Sequence, residues 1–197
     1  MGDYKITHFP STSDWTDRKR RLQKLLLNLN LEDKKILDIG GSEHLNFCNK
    51  HNIDYTSINI ANAQQTGEGG YHANSKTILY DGRNLPFKNN KFHLVLVSMV
   101  FHHTPENTLF LLTQIKNIAE KYIIVGEDLS ELNYDMEWHK RCFKHQPGGI
   151  YRSDEEWRTI FKFYNFKLLH QYVIHRDDDK DKNKIYRCYY FLENENI

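Results

Sequence analysis

The first residues whose types and spacing suggest chemistry are two glycines that follow a short apolar run. The segment is LDIGGSE, residues 37–43, in which Asp38 precedes Gly40 and Gly41. Small residues at the carboxyl end of a parallel strand let a ligand approach the backbone, and an acid in such a turn can engage a cationic or hydroxyl group. A glycine pair is common in such turns, and the pattern GxGxxG is not completed here. On its own, the segment is equally consistent with a tight turn that has no function.

Three further segments that could serve the same site follow in order along the chain. DGRNLPF, residues 81–87, comes after a short apolar run, and FHLVLVS, residues 92–98, predicts a strand buried on both faces. MVFHH, residues 99–103, leads into a helix and contains His102 and His103. An imidazole at this place could take a proton from an acceptor hydroxyl, although either histidine could instead pack or cap the loop. The four segments together are more specific than any one of them.

Taken together, these segments resemble the class I S-adenosylmethionine-dependent methyltransferases, especially the group with a D-x-x-x-LPF … HH run. The resemblance covers residues 34–127 well and extends more loosely to YRSDEEWRTIFKFYNF, residues 151–166. It implies a Rossmann-like open sheet of about seven strands, mostly parallel with an antiparallel last strand, and a cofactor across the ends of the first four. It also implies S-adenosyl-L-methionine as the cofactor and S-adenosyl-L-homocysteine as the product.

The resemblance assigns cofactor-binding roles to residues that end these strands. The first turn would cradle the methionine part, Asp81 would accept from the adenine amino group, and the fourth strand end would line the methionine. The full set is Asp38, Gly40, Gly41, Ser42, Asn59, Asp81, Gly82, Arg83, Ser98 and Met99. The family usually has Asp or Glu where Asn59 stands, and a neutral amide makes weaker bonds to the ribose hydroxyls. A relative that binds the cofactor without catalysis is therefore the alternative.

The acceptor side is predicted around the ends of the fourth and fifth strands. Its candidate catalytic residues are His102, His103, Glu127, His139 and His145. Glu127 ends the fifth predicted strand together with Asp128, where both could face the pocket or cap a helix. Segment 128–152 is rich in aromatic residues and histidines, which suits an amphipathic acceptor but equally suits packing on the sheet. His139, Cys142 and His145 lack a clear fourth ligand, so we predict no metal site.

The elements that position these residues alternate between strand and helix as far as residue 127. Strands are predicted at 36–39, 55–60, 77–80, 92–98 and 122–125, with helices at 15–30, 43–51 and 105–119. A capping box beginning at Ser153 starts a last helix, followed by strands 167–175 and 184–192. We therefore predict an α/β sheet with helices on both faces and an antiparallel C-terminal hairpin. Residues 1–12 are predicted to be irregular.

Length and composition favour one domain, residues 1–197, in the reduced interior of a cell. We divide it into an N-terminal helical lid or extension (1–30), a cofactor-binding core (34–127), an acceptor-side cap (128–152) and a C-terminal helix and hairpin (153–197). The three cysteines form no CxxC pair, which favours a cytoplasmic location. The longest apolar run has 10 residues, far short of the ~20 that cross a bilayer, so no membrane partner is predicted.

These observations predict a methyltransferase that acts on an oxygen or nitrogen of a small or medium-sized acceptor. A catalytically inactive methyltransferase-like binding or scaffold protein is one alternative. An RNA methyltransferase is the other, because basic residues from Arg18 to Lys24 share one helix. Nucleic acid is not favoured, since 27 Lys and Arg against 26 Asp and Glu leave a formal charge of only +1.

Overall fold

The computed structural model describes residues 4–9, 15–41, 44–60, 77–88, 91–129, 150–176 and 185–195. Within them a single sheet contains eight strands: β1 (Lys5–Phe9), β2 (Lys35–Ile39), β3 (Asp54–Ile60), β4 (Thr77–Tyr80), β5 (Phe92–Ser98), β6 (Ala119–Leu129), β7 (Phe166–Arg176) and β8 (Ile185–Asn194). The helices are α1 (Trp15–Leu27), α2 (Leu45–Lys50), α3 (Thr108–Ile118) and α4 (Asp154–Phe163), with a 3-10 turn at Phe101–His103. No helix in these ranges is long and apolar enough to span a membrane.

The strand order is β1-β7-β8-β6-β5-β2-β3-β4, and β8 is the strand that runs antiparallel to its neighbours. The strand order reverses between β2 and β5. The strand that leads into the glycine turn, β2, therefore lies in the interior of the sheet between β5 and β3. The predicted Rossmann-like sheet with an antiparallel C-terminal hairpin is therefore confirmed. It has eight strands among the described residues, compared with the seven expected.

The additional strand, β1, comes from the segment predicted to be irregular, and that prediction was wrong. Lys5–Phe9 pairs in parallel with β7, from Lys5 opposite His170 to Phe9 opposite Ile174. Thr7 Oγ1 and His170 Nε2 lie 2.8 Å apart across this pair. Ile6, Thr7 and Phe9 favour strand, but a run of five residues is too short to define one alone, and pairing with the edge of β7 supplies the hydrogen bonds that the segment cannot make by itself.

The central strands are buried on both faces, as the apolar run 92–98 predicts. In β5, Val95 and Val97 pack toward one cluster, whereas Leu94 and Leu96 pack toward the other. The first cluster contains residues of α3 and α4, namely Leu111, Leu112, Ile115, Ile118, Trp157 and Phe161. The second contains Leu22, Leu25 and Leu26 of α1 and Cys48 of α2. Helices therefore cover both faces, and each fully buried large apolar side chain contributes about 1.5–3 kcal/mol.

Two helix starts bear on the site. Ser153 caps α4: its Oγ accepts the Glu156 N–H at 3.2 Å, and Glu156 Oε2 accepts the Ser153 N–H at 2.7 Å, which confirms the predicted capping box. The preceding helix, α3, begins at Thr108 instead of the predicted Pro105. The chain before it is held in the 3-10 turn, because a buried carboxylate from β6 captures the backbone amides of Val100 and Phe101.

Candidate active site

The predicted site residues that the structure describes gather at one edge of the sheet. Strands β2 to β6 are mutually parallel in the order β4-β3-β2-β5-β6, so their carboxyl ends meet there. Ligands of open α/β sheets bind in the crevice outside these ends, where the strand order reverses. The residues placed at this edge are Asp38, Gly40, Gly41, Asn59, Asp81, Gly82, Arg83, Ser98, Met99, His102, His103 and Glu127.

The turn after β2 needs both of its glycines because other groups lie against its backbone. Gly40 has a φ of +80°, and a β-carbon there would lie 2.5 Å from Val100 Cγ2. A β-carbon at Gly41 would lie 2.6 Å from both carboxylate oxygens of Asp38. The main chain of the turn is therefore packed against Val100, which follows β5, on one side and against Asp38 on the other.

The buried side chain of Asp38 supports this turn. Its side chain is 2% exposed, and its Oδ2 accepts the Tyr55 hydroxyl at 2.5 Å. Burial, followed by the Asp38 charge, raises the pKa of the Cys48 thiol to about 12. Tyr55 was not among the predicted residues, because no local pattern marks a hydroxyl that reaches across from the neighbouring strand.

The turns that end β3 and follow β4 form the outer part of the edge. Asn59 is buried, and its Oδ1 accepts the N–H of Ile60 at 2.8 Å. Asp81 is exposed, and its Oδ1 accepts the N–H groups of Arg83 and Asn84 at 2.8 and 2.7 Å. The Asn84 side chain donates to Asp81 Oδ2 at 3.0 Å, and these bonds, with those from Asn84 first, lower the pKa of Asp81.

Gly82 joins these two turns. Its φ is +77°, and a β-carbon there would lie 3.0 Å from Ile60 Cγ2, so only glycine fits without displacement. The two turns consequently support one another, with the Asn59 amide at the end of β3 and the Asp81 carboxylate beyond the end of β4.

The end of β5 is strained at Met99, which has a φ of +60°. Its N–H donates to the Gly126 carbonyl at 2.7 Å, the last rung that ties β5 to β6. A left-handed conformation costs a non-glycine residue roughly 1–2 kcal/mol and concentrates at functional positions. The strain turns the chain from Ser98 abruptly into the 3-10 turn.

A buried carboxylate and imidazole occupy the interior of this turn. Glu127 Oε1 accepts the N–H groups of Val100 and Phe101 at 2.9 and 2.7 Å, and its Oε2 lies 2.7 Å from His102 Nδ1. Glu127 and His102 are both 1% exposed. A carboxylate oxygen at this distance can only accept, so the ring donates its Nδ1–H to Glu127. Nε2 is buried and has no hydrogen-bond partner among the described residues.

Two rings flank His102 and define its surroundings. The exposed His103 ring lies 4.0 Å from it, and the Tyr151 ring stacks on it at 4.9 Å and 15°. The Ile150 N–H also donates to the His102 carbonyl at 3.0 Å. Partial burial, followed by the neighbouring His102, lowers the pKa of His103 to about 4. The segment that precedes α4 therefore docks on the 3-10 turn.

Asp128, the second acid at the end of β6, faces the other side of the sheet. Arg187 of β8 binds it through two bonds, Nε to Oδ1 at 2.7 Å and Nη2 to Oδ2 at 3.1 Å. Burial opposes the charge on Arg187, but Asp128 outweighs that effect and raises its pKa. Since successive strand residues point to opposite faces, Glu127 and Asp128 do not share a pocket.

Several predicted residues lie outside the described ranges. These are Ser42, assigned to the cofactor turn, and His139 and His145, assigned to the acceptor side, together with Cys142 and the remainder of segment 130–149. Their roles stay predictions.

The family model described as a methyltransferase domain matches residues 15–171. The chain belongs to this family, and its methyl donor is S-adenosylmethionine. No curated protein matches the chain.

Solved structures with the same fold are only distantly similar in sequence. A proposed methyltransferase from Bacillus halodurans has 15% identity and a TM-score of 0.69, over 89% of this chain and 99% of its own. A SAM-dependent methyltransferase from Archaeoglobus fulgidus has 16% identity and a TM-score of 0.64, over 90% and 93%. The [4+2]-cyclase SpnF has 14% identity and a TM-score of 0.67, over 93% and 83%. At these identities the likeness defines the fold alone.

Proposed function

We propose that this methyltransferase transfers the methyl group to an oxygen or nitrogen of a small or medium-sized acceptor, with His102 as the general base. The observation that carries the proposal is the His102–Glu127 pair. Glu127 fixes the ring through Nδ1 at 2.7 Å, and the opposite nitrogen, at the carboxyl end of β5, has no hydrogen-bond partner among the described residues. A base whose far nitrogen is held by a carboxylate is a recurrent arrangement for proton removal.

The residues at the strand ends fit S-adenosylmethionine. The close-packed backbone of Gly40 and Gly41 suits the methionine part, the Asn59 amide suits a ribose hydroxyl, and the exposed Asp81 carboxylate keeps acceptor capacity for an adenine amino group. When bound, the cofactor supplies a methyl group that its sulfonium already makes electrophilic. The protein must then align the acceptor and remove one proton.

His102 takes that proton at Nε2 as the acceptor atom attacks the methyl group. Glu127 stabilises the imidazolium that results, because its Oε2 already accepts from Nδ1. The same carboxylate holds the Val100 and Phe101 amides, so it fixes both the ring and the turn that carries it. His103 makes no such pair with Glu127 and is exposed, which favours His102 as the base.

The test compares His102→Gln with His103→Gln, two neighbouring histidines of which only one contacts Glu127. Acceptors are found by following formation of S-adenosylhomocysteine with a library of small phenols, amines and hydroxy acids. Loss of a general base lowers turnover by roughly 10²–10⁴-fold, so we expect that loss for His102→Gln and little change for His103→Gln. Both variants should bind S-adenosylhomocysteine as the wild type does. Wild-type turnover in His102→Gln would refute the role.

Binding without catalysis is the second candidate, and Asn59 favours it. Its amide replaces a carboxylate, and its oxygen is already engaged by the Ile60 N–H. The fold also serves a [4+2]-cyclase, so fold alone does not define the reaction. A wild-type protein that binds S-adenosylhomocysteine and yet converts no S-adenosylmethionine to it with any library member would support this candidate.

A further inference from the structure

Arg152 is a cation beside the proposed acceptor site to which neither the family match nor the sequence motifs assign a role. It follows Tyr151, whose ring stacks on His102, and Ile150, whose N–H binds the His102 carbonyl. It precedes Ser153, the N-cap of α4. Two docked residues on one side and a capping box on the other fix its backbone next to the catalytic pair.

Within the part of the chain that the structure describes, the guanidinium of Arg152 stacks on an aromatic ring and forms no ion pair with a carboxylate. It lies over the Trp157 ring, 5.3 Å from the ring centre. Its Nη1 is buried and has no hydrogen-bond partner among the residues that the structure describes. A buried N–H without an acceptor costs free energy, so a group of this kind in a native structure calls for an explanation.

Glu156 and Glu127, the two acids whose charges act on Arg152, already have other hydrogen-bond partners. Burial lowers the pKa of Arg152, whereas Glu156 and Glu127 act in the opposite direction. Glu156 Oε2 accepts the Ser153 N–H in the capping box, and both oxygens of Glu127 are occupied by Val100, Phe101 and His102. Their charges favour the charged form of Arg152, but neither acid supplies an acceptor to its Nη1–H groups, which have no partner among the described residues.

We propose that Arg152 binds a carboxylate of the methyl acceptor, so that the substrate is a small acid whose hydroxyl or amino group reaches His102. This inference rests on the proposed function and adds the substrate class to it. A guanidinium matches a carboxylate in geometry and charge, and the Trp157 ring beneath it orients the plane of the guanidinium. The bound carboxylate satisfies the orphan Nη1–H and offsets the positive charge.

The experiment uses acceptors paired with their amides, which differ in charge but hardly in shape. The pairs are salicylate and salicylamide, 4-hydroxybenzoate and 4-hydroxybenzamide, and sarcosine and sarcosinamide. Each compound is titrated by calorimetry into the wild-type protein saturated with S-adenosylhomocysteine, and methyl transfer to each is measured with S-adenosylmethionine. The variants are Arg152→Gln and Arg152→Lys. Lys162→Gln removes an exposed cation from α4 as the matched control.

We expect the wild type to prefer at least one acid over its amide by tenfold or more. A charge-assisted bond is worth roughly 10- to 100-fold in affinity, so Arg152→Gln should weaken the acid by that factor and leave the amide unchanged. Arg152→Lys should fall between, because lysine keeps the charge but loses the planar fork. Lys162→Gln should match the wild type.

Three results would overturn the inference. One is that no acid in the panel is preferred over its amide. Another is that Arg152→Gln weakens an acid and its amide equally, which makes Arg152 a structural residue. The third is that Arg152→Gln weakens S-adenosylhomocysteine itself, which assigns the arginine to the cofactor. Failure of the proposed function looks different, because the wild type would then bind no S-adenosylhomocysteine or form none from S-adenosylmethionine with any acceptor.

Discussion

Two parts of the site are built in opposite ways. The turns at Gly40–Gly41, Asn59 and Asp81–Gly82, which we propose to hold the cofactor and name the cofactor rim, depend on closely packed backbone, and two of them are closed by local hydrogen bonds. Asp81 accepts from residues two and three positions away, and Asn59 accepts from the next residue. The acceptor cluster, which comprises His102, Glu127, Tyr151 and Arg152, is assembled from distant parts of the chain. His102 meets Glu127 across 25 residues and Tyr151 across 49.

The difference shows which structural features determine the geometry of each part. The cofactor rim depends on backbone shape, so it tolerates almost no added atom at its glycines. The acceptor cluster depends on side chains supported by β6 and by the segment before α4, so its members can change without moving the rim. Substitutions in the rim should therefore act on cofactor binding, and substitutions in the cluster on turnover and acceptor choice.

The largest expected effect is at Gly41. Alanine there places a β-carbon 2.6 Å from the Asp38 carboxylate, so the buried Asp38 or the turn must move. A misplacement of about 1 Å can cost on the order of 100-fold in reaction rate, and we expect a comparable loss of S-adenosylhomocysteine affinity in calorimetry. Lys50→Ala, on the exposed side of α2, is the control and should bind normally. Unchanged affinity in a folded Gly41→Ala variant would contradict the claim that cofactor binding depends on the backbone shape of this turn.

The next effect concerns Glu127 in the acceptor cluster. Glu127→Gln keeps the shape but offers one oxygen in place of two, so it cannot hold both backbone amides and the His102 Nδ1–H. We expect turnover to fall by roughly 100-fold, at the lower end for a displaced general base, with S-adenosylhomocysteine affinity within a few-fold of the wild type. Glu120→Gln, on the exposed start of the same strand, should behave like the wild type. Loss of cofactor affinity in Glu127→Gln would mean that the two parts are not separable.

The next prediction concerns the pH dependence of the free energy of unfolding. It depends on His44, which is buried beside the cofactor rim. Burial, followed by the Lys19 charge, lowers the pKa of His44 from 6.5 to about 4. Between these values the unfolded chain binds more protons than the folded one, so stability from this group is full above about pH 6.5 and falls as the pH drops toward 4. From pH 7 to pH 5 the loss is about 2 kcal/mol, measurable by urea unfolding.

His44→Asn should remove that part of the pH dependence. His51→Asn, a partly exposed histidine at the other end of α2, should leave it in place. An identical pH dependence in His44→Asn and wild type would show that His44 is not the group responsible.

The smallest expected effect is at Asp81. Asp81→Ala removes the proposed adenine partner and also the acceptor for the amides of Arg83 and Asn84. We expect S-adenosylhomocysteine to bind about tenfold more weakly, the lower end for a bond to a charged acceptor. Asn84→Ala releases only the bond to Asp81 Oδ2 and should change affinity little. Equal loss in both variants would make Asp81 a residue of the turn alone.

Local features of the fold and site could be predicted from the sequence. The LDIGG turn, the apolar run 92–98 and the capping box at Ser153 each contain their information within about seven residues, and the structure confirms all three. The strand that pairs with β7 could not be predicted, because five residues show no pattern until the β7 edge is present.

The side-chain contacts of the acceptor cluster could likewise not be predicted from the sequence. His102 and Glu127 were candidates from their positions at strand ends, but nothing in the sequence distinguishes His102 from His103. Only the folded chain shows which ring Glu127 holds and that the adjacent acid, Asp128, pairs with Arg187 on the opposite face. Tyr55 and Arg152 act through contacts that sequence separation conceals.

The most direct test is a calorimetric titration of the wild-type protein with S-adenosylhomocysteine. We expect one saturable site per chain with a dissociation constant in the range from roughly 1 µM to 1 mM, the range usual for enzyme substrates. Saturable binding that disappears in Gly41→Ala would place the cofactor at the glycine turn. No saturable heat at millimolar ligand would contradict the account, because a methyltransferase of this family must bind its cofactor product.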